Sequence, residues 1–160
     1  MQARNLWLLF VLFLLTAAAC QHRPKPRYQR TIRLGDSWHQ DTVARFQFRI
    51  PDTGTYQVFY HVRYSRQYPH YNFYTHYYLT DSAGHTMASS DTARNARPQQ
   101  MHLFEPESGK PFGQGLAGVY DQRVLAFKQM RFPKPGVYRF YFSQEMRYKE
   151  LPGLRAFGIE

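Results

Sequence analysis

Four kinds of side chain in this sequence could support chemistry: one thiol, scattered carboxylates, three close histidines and a dense block of tyrosines. Cys20 is the single cysteine and directly follows Ala17-Ala18-Ala19, so no internal disulfide can form and the thiol sits among small residues open to a modifying enzyme. Glycosidase-type hydrolysis needs two facing carboxylates, and Asp121 with Glu145 is the one pair to consider, although both lie in stretches that read as structural. There is no Gly-x-Ser-x-Gly elbow, and Gly109, Gly113, Gly115 and Gly118 are spaced too irregularly for a phosphate-cradling loop. His61, His70 and His76 match no short zinc motif and lack a second cysteine or an acidic cluster to complete a ligand set. The residues therefore predict no catalytic group, no metal and no cofactor.

The element that positions Cys20 is the leader before it. Arg4 supplies a basic head, residues 6–15 are an unbroken apolar run, and three alanines precede the cysteine, as an export signal requires. As a helix that run would rise only ~15 Å, half of the ~30 Å hydrocarbon layer, so cleavage is expected rather than a permanent span. Ala17-Ala18-Ala19-Cys20 resembles a bacterial lipobox, with alanine at position 17 where leucine is usual. In that pattern the thiol takes a diacylglyceryl group, the chain is cut before the cysteine and the new amine is acylated, so Cys20 is the expected lipid anchor.

Removing the first 19 of 160 residues leaves 141, enough for one domain with its own core. With Arg4 gone, 20 basic side chains face 11 acidic ones. Export makes nucleic acid an unexpected partner and turns attention to anionic headgroups, lipopolysaccharide or acidic protein surfaces. Residues 21–35 carry Arg23, Lys25, Arg27, Arg30 and Arg33 without an acid, plus Pro24 and Pro26, and read as an extended basic tether.

From Trp38 onward the pattern is that of strands. Phe46, Phe48 and Ile50 alternate with Arg45, Gln47 and Arg49, a period of two that places three apolar side chains on one face. Pro51-Asp52-Thr53-Gly54 has turn chemistry, and the strand resuming over residues 55–64 predicts a hairpin with the one before it. Further strands are expected over residues 71–80, 86–89, 99–104, 123–132, 137–143 and 154–159, with loops at 90–98 and 105–118. No sustained 3.6-residue apolar period follows the leader. The expectation is an all-β antiparallel sandwich, jelly-roll-like or immunoglobulin-like, over residues 37–160, after a signal peptide (1–19) and a lipidated basic tether (20–36).

Ten of the 23 residues from 56 to 78 are aromatic. Alternation puts Tyr71, Phe73 and Tyr77 on one face and Tyr74 and Tyr78 on the other, so one buried face cannot absorb them all. Tyr71, Tyr74, Tyr77 and Tyr78 are accordingly a candidate platform for sugar rings or an apolar partner patch, against the plainer alternative of sandwich packing.

Residues 63–159 resemble the GldH family, gliding-motility lipoproteins of the Bacteroidota. The resemblance rests on Arg63, on Tyr68-Pro69-His70-Tyr71-Asn72, on Gly109-Lys110 with Phe112-Gly113-Gln114-Gly115, and on Tyr120-Asp121. It continues through Phe132-Pro133, Gly136-Val137-Tyr138, Gln144-Glu145-Met146-Arg147, Leu151-Pro152-Gly153 and Phe157-Gly158-Ile159-Glu160. It implies an outer-membrane lipoprotein needed for gliding in members that glide, associated with the envelope machinery of type IX secretion, with no catalytic residues to carry over. Arg63, Asn72, Tyr120, Asp121, Met146 and Arg147 are the candidate interaction residues, each with scaffolding as its plainer role. The chain departs from the family at His70 and at Phe73-Tyr74. No acid follows Cys20 closely, unlike the acidic surface-export signals of many such lipoproteins, so the periplasmic face is expected. The rival expectation is a carbohydrate-binding lipoprotein that uses the tyrosine platform on peptidoglycan or a surface glycan.

Overall fold

Strict alternation is what builds the core. In the computed structural model, which describes residues 25–90 and 98–160, the segment Ala44–Ile50 is buried at every second position, and Gly136–Gln144 turns Tyr138, Phe140 and Phe142 inward. The leader, Cys20 and most of the expected loop at 90–98 lie outside the described residues. Twelve strands occur among those residues: β1 (Arg30–Arg33), β2 (Ser37–His39), β3 (Ala44–Ile50), β4 (Gly54–Ser65), β5 (Asn72–Thr80) and β6 (Thr86–Ser89), then β7 (Gln99–His102), β8 (Gln114–Leu116), β9 (Val119–Phe132), β10 (Gly136–Gln144), β11 (Glu150–Pro152) and β12 (Leu154–Ile159).

One sheet runs β1-β12-β4-β9-β8 and a second runs β3-β10-β5-β6, with β7 also paired to β5; β2 and β11 form a small ribbon. Every pairing is antiparallel. Aromatic rings fill the space between the two large sheets: Phe157 of β12 meets Phe46 of β3 and Phe142 of β10, and Tyr60 of β4 meets Phe142 edge-on at 5.2 Å. Trp38, 1% exposed, closes one side against Phe73 and Phe157. This is the expected all-β sandwich.

The expected hairpin between the strands flanking Pro51 does not form. β3 pairs with β10, Phe46 opposite Phe140, whereas β4 pairs with β9 and β12, so the turn carries the chain from one sheet to the other. Turn residues fix a reversal but not the layer it leads into. Register is decided by which rows can be buried, and β4 with β9 offers a long ladder from Gly54↔Phe132 to Ser65↔Val119.

The basic stretch also ends sooner than a free tether would. Residues 30–33 are β1, an edge strand with Arg30 opposite Ile159 and Arg33 opposite Ala156. Gly158 permits this approach, because a Cβ there would stand 2.5 Å from Thr31 Oγ1 and 2.8 Å from the Arg30 carbonyl oxygen.

Gly153 meets a stricter demand. Its φ of +82° is left-handed, and a Cβ would stand 2.4 Å from the Tyr68 amide nitrogen. Gly153→Ala is expected to destabilise the domain by about 2 kcal/mol or more from backbone strain plus the contact, measured as a lower thermal midpoint.

Candidate functional site

Alternation along β4 puts Phe59, His61 and Arg63 on the outer face of the first sheet, and the β4–β9 register sets Arg63 opposite Asp121 and His61 opposite Arg123. Arg63 Nε and Nη2 each donate to an Asp121 carboxylate oxygen at 2.8 Å, a bidentate fork. Both side chains are more than half exposed, so the pair contributes at most about 1 kcal/mol. The fork holds the Arg63 guanidinium's pKa above its usual range.

Beside it lies a tighter group. Arg123 donates to both Glu160 oxygens, at 2.9 and 2.6 Å, and His61 Nε2 stands 2.8 Å from Glu160 Oε2. The Arg123 guanidinium lies 3.3 Å from the centre of the Phe59 ring, and the Phe59 and Glu160 backbones exchange two hydrogen bonds of 2.9 Å. The Arg123 hydrogen bonds, then the one from His61, hold the Glu160 carboxyl below its ordinary value of 4.5. A lowered native pKa gives stability that is complete above the unfolded value and lost as pH falls through the folded one. Acid unfolding of Glu160→Gln is therefore expected to depend less steeply on pH below about 4.5 than that of the parent, read from thermal midpoints across that range. Sequence reasoning weighed His61 only as a metal ligand and Glu160 only as part of a terminal motif. The period-two spacing of residues 59, 61 and 63 was the available signal, but their partners depended on strand register.

Of the six candidate interaction residues, the one hydrogen-bonded pair is Arg63 with Asp121. Tyr120 is buried opposite Tyr64, and its hydroxyl accepts from Arg66 Nε at 2.9 Å. Tyr64 in turn donates to the Leu103 carbonyl at 2.6 Å and accepts from the Gly113 amide at 2.9 Å, which ties the 104–113 loop to the sheet. Burial pushes the Tyr64 hydroxyl pKa up. Asn72 is buried in β5, and its carbonyl accepts the Tyr68 hydroxyl at 2.8 Å. Met146 packs against the core and its amide donates to Gln144 Oε1 at 2.8 Å. Arg147 is exposed and, among the described residues, forms no ion pair with Glu145 or Glu150.

The four tyrosines do not make one platform. Tyr77 points into the core against Phe127 at 5.1 Å, while Tyr74 and Tyr78 face outward and Tyr71, 49% exposed, precedes the strand. Tyr78 instead stacks on Tyr141 of β10 at 4.5 Å and 11°, and Arg45 lies 6.0 Å from the Tyr141 ring. Tyr141 and Arg45 were not picked out from the sequence, because only the β3–β10–β5 register aligns them. The three histidines are separated: His61 is held by Glu160, His70 packs on Tyr148 and His76 bonds Ser90. Among the described residues no group of three or more His, Cys, Asp and Glu could hold a metal ion.

Fold and face together define an all-antiparallel-β domain whose carboxylates on the outer face of the first sheet, Asp121 and Glu160, are engaged by arginines. The chain belongs to the GldH lipoprotein family, whose sequence model matches residues 27–160. Membership of a lipoprotein family implies attachment to a membrane of the cell envelope. No curated protein matches the chain. Among solved structures, dimeric latent PorU from Porphyromonas gingivalis is similar at 13% identity and a TM-score of 0.32, over 88% of this chain and 13% of that one. The VP2 subviral particle of infectious bursal disease virus gives 12% identity and a TM-score of 0.31, over 88% of this chain and 36% of that one. The chain thus spans a minor part of both.

Proposed function

We propose that this protein is a non-catalytic outer-membrane lipoprotein, anchored through Cys20 with its sandwich on the periplasmic side, that contacts other envelope proteins of a gliding or type IX secretion machinery. The observation that carries this reading is the family match over residues 27–160 in a chain whose leader ends at a lipobox-like cysteine. The outer face of the first sheet supports it, since Arg63 and Asp121 present an exposed, bidentate charge pair suited to recognition more than to stability.

The test is cross-linking with mass spectrometry in the native envelope. Arg63→Asp is expected to change stability by less than about 1 kcal/mol, yet to lower the recovery of cross-linked partners. Unchanged cross-links would remove this face from the proposal, and the absence of any envelope partner would remove the function.

The second reading, a glycan-binding lipoprotein, is favoured by one observation, the outward Tyr78–Tyr141 stack with Arg45 beside it. A saturable response to a peptidoglycan fragment or surface glycan that is lost in Tyr78→Ala would favour it over the scaffold.

A further inference from the structure

At the end of the sandwich where β3 passes to β4 and β9 to β10, a cleft of about 980 Å³ opens between residues 25–29 and the two sheets. Its floor is apolar, with Phe48, Ile50, Val58, Phe132 and Ile159 contributing from both layers. Tyr28 covers part of it, 5.5 Å from Phe48. The Tyr28 hydroxyl is buried without a hydrogen-bond partner among the described residues, and that burial raises its pKa against the lowering pull of the Arg30 guanidinium.

The rim is cationic. Lys25, Arg27 and Arg49 are among its lining residues, Arg49 from the outward row of β3 that alternates with Phe48 and Ile50, and the two carboxylates of the cleft are already engaged, Asp52 by Arg27 at 3.4 Å and Glu160 by Arg123 and His61. Lys25 and Arg49 thus have no acidic partner among the described residues. An apolar interior of this size with a few charged groups at the entrance is the usual form of a small-ligand site, and here it matches a molecule with an apolar tail and an anionic head.

We infer that this cleft binds the acyl chain of an anionic lipid, with the headgroup held by Lys25 and Arg49. Position favours a lipid over other anions. Four residues lie between Cys20 and Lys25, five steps of chain with a reach of at most ~18 Å, so an acylated Cys20 would bring the rim to headgroup level. Residues 25–29 are held over the cleft by the exposed Arg27–Asp52 pair, by Arg27 over Tyr56 at 5.8 Å and by the Tyr28 ring against Phe48, of which the ion pair is open to screening by solvent.

The test uses the mature chain from residue 20 with Cys20→Ser, which carries no lipid of its own, titrated with dansylated undecanoic acid. Saturable one-to-one binding is expected, with competition by oleate and lysophosphatidylglycerol. Neutral dodecyl maltoside should bind about tenfold more weakly, and Lys25→Glu with Arg49→Glu should raise Kd by about tenfold or more, since the headgroup contact is electrostatic. Both rim residues are exposed, so thermal unfolding should not change. In Tyr28→Trp, a brominated fatty acid should quench the new indole. Failure to saturate below micelle formation, equal affinity for the neutral amphiphile, an unchanged Kd in the rim variant, or displacement by a saccharide would each overturn the inference. A chain that binds no amphiphile yet still cross-links to envelope partners would leave the proposed function standing.

Discussion

Cys20→Ser is expected to move the protein from the membrane fraction to the soluble periplasmic fraction and to abolish incorporation of labelled fatty acid. The magnitude follows from what is removed. Each buried methylene of an acyl chain contributes ~0.8 kcal/mol, and two or more chains make anchoring effectively stable where one gives only marginal binding. The basic residues that follow, Arg23, Lys25 and Arg27 among them, add ~1 kcal/mol each at an anionic surface. That second attraction is screened by salt within a Debye length of ~8 Å at physiological ionic strength, whereas acyl insertion is not. Fractionation after a high-salt wash therefore isolates the lipid contribution. If Cys20→Ser still resists that wash and still takes up label, the anchoring proposal and the periplasmic placement built on it both fail.

Phe157→Ala is expected to be the most damaging single change in the folded domain, at about 3–5 kcal/mol. Phe157 is fully buried, and its ring meets Trp38 at 5.3 Å, Tyr60 at 5.3 Å, Phe142 at 5.1 Å and Phe46 at 6.2 Å. Those four rings come from both large sheets and the small ribbon, so truncation opens a cavity where all three join. Domains are typically stable by about 5–15 kcal/mol, so this variant should leave little margin at growth temperature. Phe112→Ala is the control, since that ring is 52% exposed and should shift stability by no more than about 0.5 kcal/mol. Denaturant unfolding of the two variants checks the contrast; a loss below about 1 kcal/mol at Phe157 would mean that the junction is not where the domain's cohesion resides.

The ending Phe157-Gly158-Ile159-Glu160 shows how a motif can be visible before its reason is. Its physical content is three separate demands: a ring at the centre of the core, a missing Cβ that lets β1 approach, and a carboxylate gripped by Arg123 and His61. None of these could be read locally, because Thr31, Arg123 and His61 are far away in the chain. Tyr77 and Tyr78 make the same point. Alternation separated them onto opposite faces, yet which face was core depended on β10 lying beside β5, which sends Tyr77 to Phe127 and leaves Tyr78 to Tyr141.

What the sequence by itself determined was local and periodic: strands wherever apolar and polar residues alternate, and hence an all-β sandwich, since alternation needs only the geometry of a pleated chain. What only the tertiary structure decided was pairing. β3 chose β10 over its sequence neighbour, β1 left the tether to join β12, Arg63 met Asp121, and a cleft opened at the sandwich end. Those outcomes depend on which distant rows can be buried against each other at once, a cooperative property of the whole packed core that no single stretch of chain contains.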